Sequence, residues 1–217
     1  MRNKEKATGI LLLDATFTKV KGEDRAVMIA YDSGIGVIDY WIDDTENKTA
    51  YDLIFQHLDS VGYHPICVVS DGNISILSLV AERNLPHQRC IFHLLQDLKR
   101  WLTRNGEFIY PKDHVLYSRI KAIFKTSKIE YLPEKLELFK SISYIFSHRK
   151  SVLEWFWKVL PNAILCLSYE ENIPRTSNLL ENLNGQIKQR IKTMRGVKSE
   201  KSLHNFLKIL FYFRNYK

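Results

Sequence analysis

The chain has 217 residues, 45% of them hydrophobic and 26% charged, a balance suited to one sizeable core or a core with an inserted subdomain. No apolar run approaches the roughly 18 to 20 residues of a membrane span, and the polar start Met-Arg-Asn-Lys-Glu-Lys is not a signal peptide. Three cysteines, Cys67, Cys90 and Cys166, give no disulfide framework. The expectation is an intracellular protein without a membrane partner, in cytoplasm or nucleoid if prokaryotic and in the nucleus if eukaryotic. The net charge of +8 is unevenly placed: residues 182–217 hold nine Lys and Arg against one acid, Glu200, while residues 1–181 hold 23 of each sign. A one-sided basic segment points to a polyanion, nucleic acid above all; a solvated helix face is the plainer alternative.

In chain order, residues 9–17 (Gly-Ile-Leu-Leu-Leu-Asp-Ala-Thr-Phe) predict a central strand covered on both faces. Residues 25–31 and 37–41 predict two more strands, joined by a turn at 32–36, which makes an antiparallel meander. Residues 47–61 carry Leu53, Ile54, Leu58 and Val61 at helical spacing, with Gly62 as the stop. A fourth strand spans 65–71 and ends at Asp71. A short helix follows at 74–83, with Ile74, Leu77 and Val80 or Ala81 on one side. Residues 85–93 read as a fifth strand running into a helix at 93–102. Three strands, then alternating helix and strand, imply one mixed α/β sheet: an antiparallel meander followed by parallel crossovers.

Residues 105–175 change character and read as an α-helical insertion, with helices at 117–124, 133–146 and 147–160. Its Trp155-Phe156-Trp157 cluster reads as core packing, with a Trp stacking on an unpaired base as the alternative. The expected division is therefore 9–104, 105–175 and 176–217. Residues 178–195 form the clearest predicted helix, with Leu180, Leu183, Ile187, Ile191 and Met194 on one stripe. Glu181, Gly185, Lys188 and Lys192 fall on an adjacent face. The last predicted element, 203–216, is an aromatic-rich amphipathic helix.

Three carboxylates stand out. Asp14 and Asp71 are each expected at or near the end of a strand, and Glu181 lies on the helix after the insertion. A carboxylate in an apolar run is costly to bury unless a charge or metal meets it. Hard oxygen ligands suit Mg2+ or Mn2+, and two such ions about 3.5–4 Å apart can activate a hydroxyl and stabilise the leaving oxygen of a phosphodiester. Each acid also has a local reading. Asp14 could close a strand and pair with a lysine. Asp71, before Gly72-Asn73, could serve a turn or helix cap. Asn178-x-x-Glu181 is close to a capping box.

The segments Leu12-Leu-Asp14-Ala-Thr, Val69-Ser-Asp71-Gly, Gln88-Arg-Cys-Ile-Phe-His93 and Thr176-Ser-Asn-Leu-Leu-Glu-Asn-Leu-Asn184, in this order and before a basic run to Arg195, carry a resemblance. The chain resembles the catalytic domain of Mutator-type DDE transposases, including related bacterial insertion-sequence families. That resemblance implies an RNase H-like fold with an α-helical insertion. It also implies Asp14, Asp71 and Glu181 as the metal-binding triad, for two Mg2+ or Mn2+ ions, and cleavage and strand transfer of DNA by a homo-oligomer. Cys90 and His93 occupy the family's Cys-x2-His signature, where they would position the scissile strand or support the site. Half a zinc site extended by His87 is the alternative, although four ligands are not apparent. Asn178 and Asn184 would contact the DNA backbone or cap a helix. Lys188, Arg190, Lys192 and Arg195 would hold phosphates, giving salt-dependent binding.

Family members normally carry an N-terminal DNA-binding region, whereas eight residues precede the first strand here. The expectation is a catalytic-domain fragment, a truncated element or a protein with a separate DNA-binding partner. Two rival functions remain: an RNase H-like nuclease or resolvase without strand transfer, and a catalytically silent remnant that only binds DNA.

Overall fold

A computed structural model describes residues 6–169, 172–194 and 196–215. They form two compact units, Met1–His87 with Ser177–Lys217, and Gln88–Thr176.

The first unit opens with an antiparallel meander of β1 (Ile10–Val20), β2 (Glu23–Asp32) and β3 (Gly36–Asp43). Lys21 and Gly22 turn the chain between β1 and β2, both at positive φ (54° and 90°), as the tight hairpin turn that matches strand twist requires. Helix α1 (Lys48–Ser60) starts at Asn47, whose side chain accepts the Ala50 N–H; this is an ordinary N-cap. Strand β4 (Cys67–Ser70) then pairs parallel to β1. Helix α2 (Ile74–Glu82) follows, and β5 (His87–Arg89) begins where the unit ends. The result is a mixed five-stranded sheet in the order β3-β2-β1-β4-β5.

Strand periodicity sends Leu11 and Leu13 to one face, where they meet Met28 and Ala30 of β2 and a layer from α1 and α2. The apolar faces of those helices differ from the sequence expectation. On α1 the buried stripe is Ala50, Tyr51, Ile54, Phe55 and Leu58. On α2 it is Ile76, Leu79 and Val80, whereas Ile74 is 82% exposed. Helix α2 is apolar almost all round, so its sequence could not fix which side turns inward.

In the second unit, α3 (Ile91–Leu102) leads into a small hairpin of β6 (Thr103–Arg104) and β7 (Glu107–Phe108). Helices α4 (Pro111–Phe124), α5 (Leu132–Ile142) and α6 (Lys150–Ala163) complete it, with a 3-10 stretch at Ser143–Arg149. Its core joins Leu94, Leu98, Leu116, Ile120, Phe124, Phe139 and Phe156. Trp155 and Trp157 pack against that core from its margin. The buried Asp113 carboxylate accepts hydrogen bonds from the Tyr110 N–H and from Arg149, with His148 Nε2 3.2 Å away. Burial alone would push its pKa up, but the Arg149 and His148 contacts hold it below the ordinary carboxylate range.

The chain returns to the first unit with α7 (Asn178–Thr193), which packs on β1, and α8 (Glu200–Asn215), which packs on β3. Leu180, Leu183, Ile187 and Ile191 are buried as the stripe predicts; Met194 lies past the helix end and is 51% exposed. Asn215 closes the open edge of β3, accepting from the Val37 N–H (3.0 Å) and donating to its carbonyl (2.8 Å). A Cβ on Gly36 would stand 2.1 Å from the Asn215 side chain, so the close approach depends on glycine there. Among the described residues no helix is long and apolar enough to cross a membrane.

Candidate active site

The parallel pair runs toward the first two acids. Ile10, Leu11, Leu12 and Leu13 stand opposite Cys67, Val68, Val69 and Ser70, and Asp14 and Asp71 are the residues that follow Leu13 and Ser70. Neighbouring strands are about 4.8 Å apart. Asp14 is not at a strand end, as the sequence suggested. It lies within β1, at the step where β4 stops while β2 continues to pair. Both acids are half-buried. Asp14 Oδ1 accepts the Ala15 N–H and Oδ2 accepts the Asn184 side-chain amide, each at 2.9 Å. Asp71 Oδ1 accepts the Asn73 N–H at 2.9 Å, so the turn reading of Asp71 holds for one of its oxygens. The N-cap of α2 is Asn73, not Asp71.

The third acid is delivered by α7. Its N-cap is Ser177, and Asn178 is the exposed first helical residue. A capping box built on Asn178 and Glu181 therefore does not form: the helix starts one residue too early for Glu181 to occupy its third position. Instead the Glu181 N–H bonds the Ser177 carbonyl at 3.0 Å, and the Ser177 hydroxyl lies 3.4 Å from Glu181 Oε1. Asn184 follows three residues later on the same side of the helix. It is 7% exposed, donates its amide to Asp14, and keeps Oδ1 buried without a hydrogen-bond partner. Asn184 is thus turned into the unit, whereas Asn178 faces solvent.

Lys188, Arg190 and Lys192 are all exposed. At 100° per residue Lys188 and Lys192 share the Glu181 side of α7, and Arg190 points to the opposite side. Arg195 lies outside the described residues.

Two residues beside the acids escaped the sequence reading. The fully buried Tyr51 donates its hydroxyl to Glu46 Oε1 at 2.7 Å. Burial, then the charges of Glu46, Asp71 and Asp14, push the Tyr51 phenol well above its ordinary pKa, so it remains a donor. Burial also raises Glu46, with the Asp71 charge adding to it, while bonds from Tyr51 and Asn73 oppose the rise. Glu46 is thus a fourth carboxyl in the same field. The available signal was the acid-rich stretch Asp43-Asp44-Thr-Glu46 running straight into a helix.

In the second unit Cys90 is fully buried at the N-cap of α3. His93, half-buried in the first turn, packs its ring edge-on to Phe92 at 5.6 Å. His87, in the first unit, shares a 2.8 Å hydrogen bond with Ser70.

The donor chemistry fits a hard divalent cation. Asp14, Asp71 and Glu181 offer carboxylate oxygens, and Asn184 adds a buried amide oxygen with no protein partner. Among the described residues the three carboxylates are not gathered within 4.8 Å of one another.

A family model described as "Transposase, Mutator family" matches residues 1–216. No curated protein matches. Among solved structures, the integrase catalytic core domain of HTLV-2 in complex with magnesium, in its dimeric form, is 14% identical over 49% of this chain and 79% of its own, with a TM-score of 0.33. A simian T-cell lymphotropic virus intasome in complex with PP2A regulatory subunit B56 gamma is 11% identical over 55% of this chain and 49% of its own, with a TM-score of 0.32. Scores of that size are too low for any functional detail to be carried over.

Proposed function

Because the chain belongs to the Mutator family of transposases, we propose that it cuts a DNA phosphodiester at an element end and joins the freed 3′-hydroxyl to target DNA. Asp14, Asp71 and Glu181 are its metal-binding acids, on an RNase H-like core. The observation that carries this reading is the hydrogen bond from Asn184 to Asp14. It pins α7 to β1, and Glu181 is one helical turn from the pin, while Asp71 is one step beyond the β1–β4 ladder. These positions support reading the three acids, distant in sequence, as parts of one site.

Each residue has a distinct task. Asp14 accepts a hydrogen bond on each oxygen, from the Ala15 N–H and the Asn184 amide, which fixes its orientation. Asp71 has one oxygen held by its own turn and the other available. Glu181 is delivered by the first turn of α7. Asn184 is a positioning residue acting through Asp14. Two bound Mg2+ or Mn2+ ions would activate the attacking hydroxyl and stabilise the leaving oxygen. Lys188 and Lys192 follow Glu181 along the helix and hold the DNA backbone, with Asn178, Arg190 and Arg195 as further contacts. The working form is a homo-oligomer on DNA. Cys90 and His93 support the scissile strand.

The test is Mn2+-dependent strand transfer from a pre-cleaved oligonucleotide end, with products resolved by length. Asp14→Asn, Asp71→Asn and Glu181→Gln are each expected to lower the rate by at least about a thousandfold, roughly 4 kcal/mol of barrier, with unchanged thermal stability. Full activity in any one of them removes that residue from the triad. Cleavage without joined product would replace the transposase reading with a nuclease.

A further inference from the structure

The second unit is a basic body in its own right. Gln88–Thr176 holds fifteen Lys and Arg against nine Asp and Glu, a net of +6. Averaging over residues 1–181 conceals this, because residues 1–87 hold eight against thirteen. Several of its cations are answered by acids: Arg149 by Asp113, Arg100 by Asp97, Lys150 by Glu154. Three that are not converge on one pocket.

That pocket has a volume of about 420 Å³ and is lined by Lys99, Phe108, His114, Tyr117, Lys121 and Lys125, with Ser118 and Ala122 between them. No acid lines it. His114, Tyr117, Lys121 and Lys125 recur every three or four residues along α4 and so form one outward face. Lys99 comes from the last turn of α3, and Phe108 from β7. The hairpin that carries Phe108 is set by Asn105-Gly106, both at positive φ (53° and 87°), and its exit is tied down by the Ile109 N–H bonding the Leu102 carbonyl at 3.0 Å. Phe108 meets the His114 ring at 5.2 Å and the Tyr117 ring at 5.9 Å. None of the three lysine ammonium groups pairs with a carboxylate among the described residues; Lys121 lies 5.7 Å from the Tyr117 ring centre.

Three uncompensated cations around a concave aromatic wall suit a ligand with spaced phosphates and flat rings. We propose that this pocket binds a single-stranded segment of DNA, with phosphates on Lys99, Lys121 and Lys125 and an unstacked base against Phe108 and Tyr117. An intact duplex keeps its bases stacked and cannot use the aromatic wall. The site extends the DNA-processing function proposed above and rests on it for the identity of the strand. It makes the second unit a strand holder in addition to the C-terminal basic helix.

The experiment is fluorescence anisotropy of a labelled single-stranded oligonucleotide with the whole chain, over a series of salt concentrations. Lys99→Ala/Lys121→Ala/Lys125→Ala is expected to weaken binding about tenfold or more at 0.1 M salt. It should also flatten the dependence of log K on log salt by about two, since each phosphate neutralised on a single strand contributes about 0.7 to that slope. Lys128→Ala/Lys150→Ala/Lys158→Ala removes the same charge elsewhere on the unit and should do markedly less. Phe108→Leu should weaken single-strand binding at an unchanged salt slope and leave duplex binding alone. Equal losses from the two lysine triples would overturn the pocket, as would wild-type affinity in the first. Wild-type binding by Phe108→Leu would overturn the base contact. Failure of the transposition reading is seen separately, in the strand-transfer assay: lysine-specific binding without strand transfer upholds the pocket and rejects that reading.

Discussion

The two units bury carboxylates in opposite ways. In the second, Asp113 is met by the Arg149 guanidinium and by His148, so its charge is cancelled on the spot. In the first, the fully buried Asp32 is held by uncharged donors: the Thr8 and Gly9 N–H groups, the Thr8 hydroxyl, the Gly34 N–H and the Tyr63 hydroxyl. Burial and the Asp32 carboxylate together push the Tyr63 phenol up, which keeps it a donor. Asp14 receives bonds of the same neutral kind from Ala15 and Asn184. An ion pair ends a charge's influence, whereas a ring of dipoles stabilises the carboxylate and leaves its field in place. The first arrangement serves the stability of the helical body, and the second keeps a carboxylate's field in place within the unit proposed to attract a cation.

The contrast can be broken at three points beyond the triad. The largest effect is expected from Asp113→Ala, which strands Arg149 partly buried and should cost about 3–5 kcal/mol. Urea unfolding followed by tryptophan fluorescence reads it well, because Trp101, Trp155 and Trp157 all lie in that unit. The pH dependence carries the same signature. Asp113 is depressed in the folded state, so its contribution is present above the unfolded carboxylate range and lost as pH falls through the folded value. The variant should lose that part of the acid sensitivity. A cost no larger than that of a surface change would mean the cation does not hold the unit.

A smaller effect is expected from Asn184→Ala, which removes the neutral donor to Asp14. Mn2+ affinity measured calorimetrically should fall about 10- to 100-fold, the usual scale for a group supporting a ligand. Unchanged affinity would remove Asn184 as the support of Asp14. Tyr51→Phe should have the smallest effect, about 1–2 kcal/mol of stability at neutral pH from removing the bond to Glu46. Glu46 is already raised in the folded state, and losing a bond that lowers its pKa raises it further. The destabilisation should therefore grow as pH climbs through the carboxylate range and shrink in acid, where Glu46 is protonated in both states. The reverse trend in pH-dependent unfolding would overturn that placement.

Much of this was legible in the residues themselves. The run Ile10 to Leu13 announces a strand buried on both faces, and the spacing Leu180, Leu183, Ile187, Ile191 announces the helix that covers it. The acids were visible because charge after such runs is rare. What failed did so for local reasons. Asn105-Gly106, a strong hairpin signal, was absorbed into a stretch read as helical, and the β6–β7 hairpin was missed. Helix α3 was grouped with the sheet because it follows β5 in sequence, but its apolar face packs with α4. The tie between Asn184 and Asp14 spans 170 residues, so no window along the chain could reveal it. Tyr51 was hidden because a tyrosine at the start of a helix looks like surface until its hydroxyl has a buried partner.

The single pin between α7 and β1 also governs how this chain can vary over time. Glu181 and Asn184 share a helix face only because two residues separate them; one residue gained or lost between them would swing one by about 100° about the helix axis. Side chains on the outer face of α7 can drift freely, but the length of that segment is frozen. The Lys21-Gly22 turn is less constrained: a Cβ on Gly22 would meet nothing within 4 Å, with the bond from the Lys21 N–H to the Val197 carbonyl as a tie to the rest of the unit. Among descendants of this sequence, insertions should accumulate at such turns and be purged between Glu181 and Asn184, a bias visible in lengths alone before any residue is compared.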